Sequence, residues 1–400
     1  MACLVATRGA RPAGPNRRGG RQLNDGATSL RIAMFVHTLD DRAVSRVVVS
    51  ICRHLAAEGS EVVVICATQA EVTVDIPDGV RVEDLRVGSR TTSFALARLV
   101  RRLRALRPDV LFAHLNGPSR IAVVARRLAG VPTAVVVVEH THYDTFYRTH
   151  RWARDRLTAL LYPRADCVAG VAPQVVEDLV MRFPRISHTA VLPGVGPDVE
   201  LSAPRPALPD HDWYRDATAP VVCSVGNLLA RKGQATLVQA LPRVHEEVDD
   251  ARLVLVGRVD DEVFVARLWE LATDLGVQDH VSIAGYQPDA LPYIAHADVF
   301  ALASTTEGMS MVLVEAMALG VPVVTTDCPG GVSFVVDGGR CGLLVPVGDP
   351  QAMASALVAL LRKSPMRDEL VAAGRARAPE FSPRHVAARY AALAEVWARN

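Results

Sequence analysis

Short apolar runs alternate with helical segments along almost the whole chain, and this alternation restricts the fold more than any other feature. Arg31–Val36 reads Arg-Ile-Ala-Met-Phe-Val, a run without a polar break after its first residue, as expected of a strand buried on both faces. A helical stretch from Val44 to Glu58 follows, closed by Gly59, and Glu61–Cys66 is apolar again. Further strands are expected at Asp109–Phe112, Thr133–Val138 and Cys167–Ala169, with helices at Pro118–Ala129 and Trp152–Leu161. Strands that alternate with helices predict a parallel sheet covered on both faces.

The rhythm breaks over 202–220, where Pro204, Pro206, Pro209 and Pro220 stand in a polar stretch that reads as a linker. It then restarts, with strands expected at Val221–Val225, Arg252–Val256, Val281–Ile283, Val299–Leu302, Pro322–Thr325 and Gly342–Val345. The division is therefore a tail over 1–29, a first Rossmann-like domain over 30–203, a linker over 204–219 and a second Rossmann-like domain over 220–382. Residues 383–400 form a helix with one apolar stripe, Val386, Ala387, Tyr390, Leu393, Ala394 and Trp397. Either domain could receive it. A length of 400 residues suits two cores. Ligands of doubly wound sheets bind at the carboxyl ends of the strands. Two such domains facing each other predict a deep interdomain cleft that excludes water.

Charge and cysteine usage narrow the function classes. Residues 1–200 carry a net +8 and residues 201–400 a net −7, so the halves suit different partners. The basic residues are almost all Arg, with only two Lys in the chain. Aromatics do not interleave them, which argues against nucleic acid. Seven cysteines without a C-x-x-C pair read as reduced residues of a cytoplasmic protein, not a zinc site or disulfide frame. No apolar stretch is long enough to span a bilayer. Residues 1–29 lack an apolar core and read as a disordered tail, not a secretion signal. The stretch Phe94–Arg107 sets five Arg among Leu and Ala. Such a helix either touches an anionic membrane surface peripherally or simply covers the sheet, and the second reading is favoured.

Three stretches carry chemistry. In the first, Ser304-Thr-Thr-Glu307-Gly-Met-Ser-Met-Val-Leu-Val-Glu315, a strand ends near Leu302 and a helix begins near Ser310. Glu307 sits in the turn between them. The amides of Gly308, Met309, Ser310, Met311 and Val312 are helix-start donors suited to an anionic or hydroxyl-rich ligand. Glu315, further along, can accept two hydrogen bonds from vicinal hydroxyls. In the second, Ser224-Val-Gly226-Asn227-Leu-Leu-Ala-Arg231-Lys232-Gly233, two cations stand beside a helix start, where the helix dipole disfavours them. A bound diphosphate would reverse that penalty. In the third, Val138-Glu139-His140-Thr141-His142-Tyr143, His140 follows a buried strand of the first domain and could meet a sugar hydroxyl or orient an acceptor.

Together these stretches resemble the retaining glycosyltransferases of the GT-B fold that carry a Glu-x7-Glu motif, the family 4-like glycosyltransferases. The resemblance runs from about residue 30 onward. It includes Pro108-Asp109-Val, Arg164-Ala-Asp166, Leu192-Pro193-Gly, Gly320-Val-Pro-Val-Val-Thr-Thr-Asp-Cys-Pro-Gly330 and Gly342-Leu-Leu-Val-Pro-Val-Gly-Asp349.

The resemblance implies a hexosyltransferase-like enzyme with a nucleotide-diphosphate sugar as donor substrate, an unidentified acceptor, no cofactor and no metal. Arg231 and Lys232 would hold the diphosphate, with Gly226 and Asn227 beside it. Glu315 would bind the ribose, Glu307 the transferred sugar, and the region of Gly257, Arg258, Gly285 and Tyr286 the base. His140 would be the first domain's contribution near the reacting carbon. The chain departs from the family's pattern in the glycine-free stretch Thr38–Arg46, in Asn227 where Arg is frequent, in Phe334 where an acid is usual, and in Arg258-Val259 after Gly257. A nucleotide-sugar epimerase, a sugar phosphorylase and a catalytically weak nucleotide-sugar-binding protein stay open as alternatives.

Overall fold

The computed structural model describes residues 6–7, 29–40, 43–68, 73–87, 92–143, 151–196, 205–216 and 218–398. The chain forms two compact units, Met1–Val195 with Pro383–Asn400, and Gly196–Ser382. Most of the expected tail over 1–29 lies outside the described residues.

The first unit is built on an eight-stranded sheet. Its strands are β1 (Ala6–Thr7), β2 (Arg31–Val36), β3 (Glu61–Thr68), β4 (Val80–Val87), β5 (Val110–His114), β6 (Ala134–Glu139), β7 (Cys167–Gly170) and β8 (His188–Val191). They lie in the order β1-β8-β7-β6-β5-β2-β3-β4. All pairs are parallel except β1 on β8. From β2 the chain winds outward through β3 to β4, then returns to the other side of β2 at β5. The direction of winding thus reverses between β2 and β5.

The second unit is a six-stranded parallel sheet of β9 (Val221–Val225), β10 (Arg252–Val256), β11 (Val281–Gly285), β12 (Val299–Leu302), β13 (Val323–Thr326) and β14 (Leu343–Val345). Its order, β11-β10-β9-β12-β13-β14, reverses between β9 and β12. Side chains alternate between two cores. Val222, Leu253, Leu255 and Val299 pack under the helices Gln234–His245 and Pro350–Leu361. Val221, Cys223, Val254, Val256 and Phe300 pack under Leu291–Ala295 and Met311–Leu319. Burial on both faces is why these strands read as unbroken apolar runs. Residues 205–216, within the stretch read as a linker, pack on this unit through buried Tyr214, whose hydroxyl donates to the Tyr293 carbonyl at 3.0 Å.

The C-terminal helix Pro383–Ala398 belongs to the first unit, where Val386, Ala387, Tyr390, Leu393 and Ala394 join the core formed with the helix Ala43–Ala57. The basic helix Thr92–Leu106 covers its own sheet. Ala95, Leu99 and Leu103 are buried, Arg98 binds the Leu85 and Arg86 carbonyls, and Arg104 those of Leu128 and Ala129. Its buried apolar residues are thus used inside the protein. Among the described residues no helix is long and apolar enough to cross a membrane.

Candidate functional site

The reversal point of a doubly wound sheet leaves a crevice at the strand ends, because the loops on either side turn to opposite faces. In the second unit that point lies between β9 and β12, and the two strongest motifs are the loops that flank it. After β9 come Gly226 and Asn227, then a single 3-10 turn, Ala230–Lys232, with Gly233 leading into the helix Gln234–His245. The cations therefore stand one turn before the helix, not on it. After β12 come Ser304 to Ser310, and the helix Met311–Leu319 begins. Gly308 and Met309 precede this helix, so its own first-turn donors are Met311, Val312 and Leu313.

The two loops are joined directly. Thr305 N donates to the Arg231 carbonyl at 2.8 Å. Lys232 Nζ meets Glu307 Oε1 at 2.5 Å, with the Lys and Glu side chains 14% and 9% exposed. The Lys232 stem crosses above Gly226, where an added Cβ would lie 3.6 Å from Lys232 Cε. Ser304 Oγ donates to the same Glu307 oxygen at 2.6 Å. One carboxylate oxygen is thus held by an ammonium and a hydroxyl. The other has no hydrogen-bond partner among the described residues and is not enclosed. Sequence reasoning gave Ser304 no role. Its signal, a hydroxyl three residues before Glu307, is too common to single out.

Glu307 is also fixed through its backbone. Its N–H donates to the Pro329 carbonyl at 3.1 Å, and Gly331 N donates to the Gly308 carbonyl at 2.7 Å. The helix start beside it is left uncompensated. Ser310 makes no side-chain cap and the first turn holds no acidic residue. Unpaired first-turn amides and the helix dipole together attract an anion. Glu315 is half-buried in the second turn of this helix. Arg231 is exposed and its side chain has no partner among the described residues.

The remaining residues expected here line the adjacent strand ends. Gly226 N donates to the Val256 carbonyl and Gly257 N to the Gly285 carbonyl, each at 2.8 Å, so the three glycine turns after β9, β10 and β11 lie side by side. An added Cβ on Gly257 would sit 2.0 Å from the Gly226 carbonyl oxygen. Arg258 stacks over the half-exposed Tyr286 ring at 5.3 Å. Asn227 turns its amide onto Asp260 at 2.6 Å.

His140 lies in the first unit, just beyond the carboxyl end of β6. Parallel pairing sets His114, the last residue of β5, opposite Val138. This register brings His114 Nδ1 within 2.9 Å of His140 Nε2, a pairing that sequence reasoning missed. Next to His114, Leu115 has φ 69° and ψ 156°, a conformation that only glycine adopts easily. Glu139 is buried and accepts from the Tyr162 hydroxyl. Asn116 donates to the same hydroxyl at 2.9 Å. The end of the first sheet thus carries a strained turn and a polar cluster, both frequent at functional sites.

Burial holds the His140 pKa down to about 4, and His114 well below its usual range, helped by the neighbouring His140. Both rings are neutral in the folded protein at pH 7. An unfolded histidine takes up a proton near pH 6.5, so the unfolded chain binds more protons as the pH falls below that value. Stability from these two groups is complete above about pH 6.5 and is lost as the pH falls toward 4. For His140 alone the loss is at most about 3 kcal/mol. Melting curves between pH 8 and 4.5 should fall more steeply for the natural protein than for His140→Asn; equal slopes would contradict the assignment.

Known proteins resemble both units of the chain. A family model described as glycosyl transferases group 1 matches residues 219–363, and one described as a glycosyl transferase 4-like domain matches residues 42–194. The N-acetylgalactosamine-N,N'-diacetylbacillosaminyl-diphospho-undecaprenol 4-alpha-N-acetylgalactosaminyltransferase of Campylobacter jejuni is 30% identical over 288 residues, 70% of this chain and 74% of that one. The lipopolysaccharide core biosynthesis glycosyltransferase LpsE of Rhizobium meliloti is 37% identical over 158 residues, spanning 40% of this chain and only 44% of that one. The Anabaena protein Alr3699/HepE, solved in complex with UDP, shares the fold with a TM-score of 0.78 and 20% identity, covering 92% of this chain and 100% of that one.

Proposed function

Since the chain belongs to the group 1 glycosyl transferases, with two Rossmann-like domains of the GT-B type, we propose that it moves a sugar from a nucleotide-diphosphate donor to an acceptor hydroxyl. The observation that carries the reading is the junction of Lys232 and Glu307 across the β9/β12 reversal, beside an uncapped helix start.

The diphosphate rests on the first-turn amides of Met311–Leu313, with Lys232 and Arg231 as its cations. As the anomeric carbon–oxygen bond breaks, negative charge grows on the leaving phosphate. Groups already in place to receive it stabilise the transition state without reorganising. The acceptor oxygen forms the new bond to the same carbon, and its proton ends on the released nucleotide diphosphate. These cations and amides supply the positive charge of the site, which favours chemistry without a resident metal. Glu307 receives a sugar hydroxyl on its open oxygen, and Glu315 receives the ribose hydroxyls. The Arg258–Tyr286 stack offers a flat surface for the base. From the first unit, His140 offers a ring nitrogen to sugar or acceptor. Retention of anomeric configuration is part of the reading, supported by the Glu307/Glu315 spacing shared with the retaining enzymes the chain resembles. The complex of HepE with UDP supports a nucleotide as the ligand.

Ligand that binds the native state raises its melting temperature, by about 2.7 kcal/mol of stability at a hundredfold excess over Kd. UDP, GDP and ADP, each with its hexose conjugates, form the panel. At least one diphosphate should raise the melting temperature, and its conjugate should release free nucleotide slowly in water. No shift and no release with any member would sink the reading.

A further inference from the structure

The His114–His140 contact contains a choice that decides what His140 can do. Two neutral imidazoles at 2.9 Å share one proton between His114 Nδ1 and His140 Nε2. If His140 donates, its Nδ1 is a bare lone pair, and His114 carries its own proton on Nε2. If His114 donates, His140 carries its proton on Nδ1, and His114 Nε2 is bare.

The buried end of the pair discriminates between these arrangements. His114 is fully buried and its Nε2 has no hydrogen-bond partner among the described residues. A buried N–H without an acceptor is among the rarest defects of native structures, and an under-used acceptor is less costly. Tyr390 stacks on His114 with centroids 6.2 Å apart, is fully buried, and has a hydroxyl without a partner among the described residues. With His114 Nε2 bare, this region holds one unpaired proton, on Tyr390, and one unpaired nitrogen acceptor. With Nε2 protonated it holds two unpaired protons. The strained φ of Leu115 marks the same turn as one held in place by its surroundings.

We propose that His114 is a positioning residue that donates its Nδ1 proton to His140 Nε2, so that His140 presents an Nδ1–H donor, not a base, to the substrate. At the other end of the pair, His140 is only part-buried. Its Nδ1 has no partner among the described residues and is not enclosed. A donor there can hold a sugar or acceptor oxygen in place but cannot remove the acceptor's proton. Burial keeps both rings neutral at pH 7, so the arrangement persists under working conditions. The substrate half of this inference rests on the glycosyltransferase reading; the proton's position does not.

Two experiments separate the halves. The full chain, labelled with nitrogen-15 in histidine, gives ring nitrogen–proton correlations at pH 7.5 without any ligand, assigned by loss of signals in His114→Asn and His140→Asn. Both rings should carry the proton on Nδ1. An Nε2 proton on either ring, or a doubly protonated ring, overturns the assignment. Turnover of whichever member of the UDP- and GDP-hexose panel is hydrolysed tests the role. Asn places an amide N–H near where His114 Nδ1 stood, whereas Gln carries its amide at the position of Nε2. His114→Gln should lower kcat about tenfold or more with KM for the donor little changed, and His114→Asn should recover most of that loss. Equal activity of the two variants overturns the positioning role. Nδ1 protons on both rings with full turnover in His140→Ala would instead remove His140 from the reaction, a failure of the underlying reading rather than of the proton assignment.

Discussion

Lys232→Met should lower turnover of the nucleotide-sugar donor by about 10² to 10³, the usual effect of removing one preplaced group that receives transition-state charge. It should also lower stability. Glu307 is nearly buried, and without the ammonium its Oε1 keeps only the Ser304 hydroxyl. A poorly solvated carboxylate stripped of its cation costs about 2–4 kcal/mol. A fall in activity could therefore be blamed on unfolding. The double variant Lys232→Met with Glu307→Gln separates the causes, because the neutral amide needs no cation and Ser304 can still donate to its oxygen. The melting temperature should recover in the double variant, while its turnover should stay about 10² or more below that of Glu307→Gln alone, which keeps Lys232 and controls for the change at the sugar-binding carboxylate. If turnover recovered with the fold, Lys232 would be a structural partner of Glu307 and the diphosphate would have to be held elsewhere.

Gly233→Ala should be among the most damaging small substitutions in the second unit. Its φ of +67° lies in the left-handed region, and an added Cβ would stand 1.9 Å from the Ala303 carbonyl oxygen and 2.7 Å from its carbon. Both are backbone atoms that cannot rotate away, so the Arg231–Lys232 turn must lift off the end of β12. Gly276 is the internal control. Its φ is +69°, almost the same, but nothing lies within 4 Å of its added Cβ. Gly276→Ala bears only the conformational penalty, about 1–2 kcal/mol. Gly233→Ala adds the collision, and a total above about 4 kcal/mol places it in the exceptional class. Urea midpoints of the two variants measure the difference. Equal midpoints would mean that the two loops are less tightly joined than the Thr305 N to Arg231 carbonyl bond indicates.

The parts of the fold legible in the sequence share one physical cause. Strands covered on both faces, such as β2, β9, β10 and β12, leave an unbroken apolar run. The strand β4 is not legible in this way, because it pairs only with β3 and its apolar residues are broken up by Arg81, Glu83, Asp84 and Arg86 without a regular alternation. The strand β8 reads His-Thr-Ala-Val and is mostly only half-buried, so it leaves no apolar run. Within the site, the loops after β9 and β12 were legible because their glycines and charges cluster within a few positions. Ser304 and His114 were not, since each acquires meaning only from a partner it reaches in the folded chain.

The amino-acid sequence by itself determined the two alternating α/β units, and it placed charged and glycine-rich loops at the carboxyl ends of their strands, because local patterning encodes burial and turns. Tertiary structure alone decided the rest. It docked the C-terminal helix on the first unit. It closed Lys232 onto Glu307 across 75 positions of sequence, and His114 onto His140 across 26. These contacts follow from strand order and parallel register, which are set by how whole elements pack and which no short stretch of residues contains.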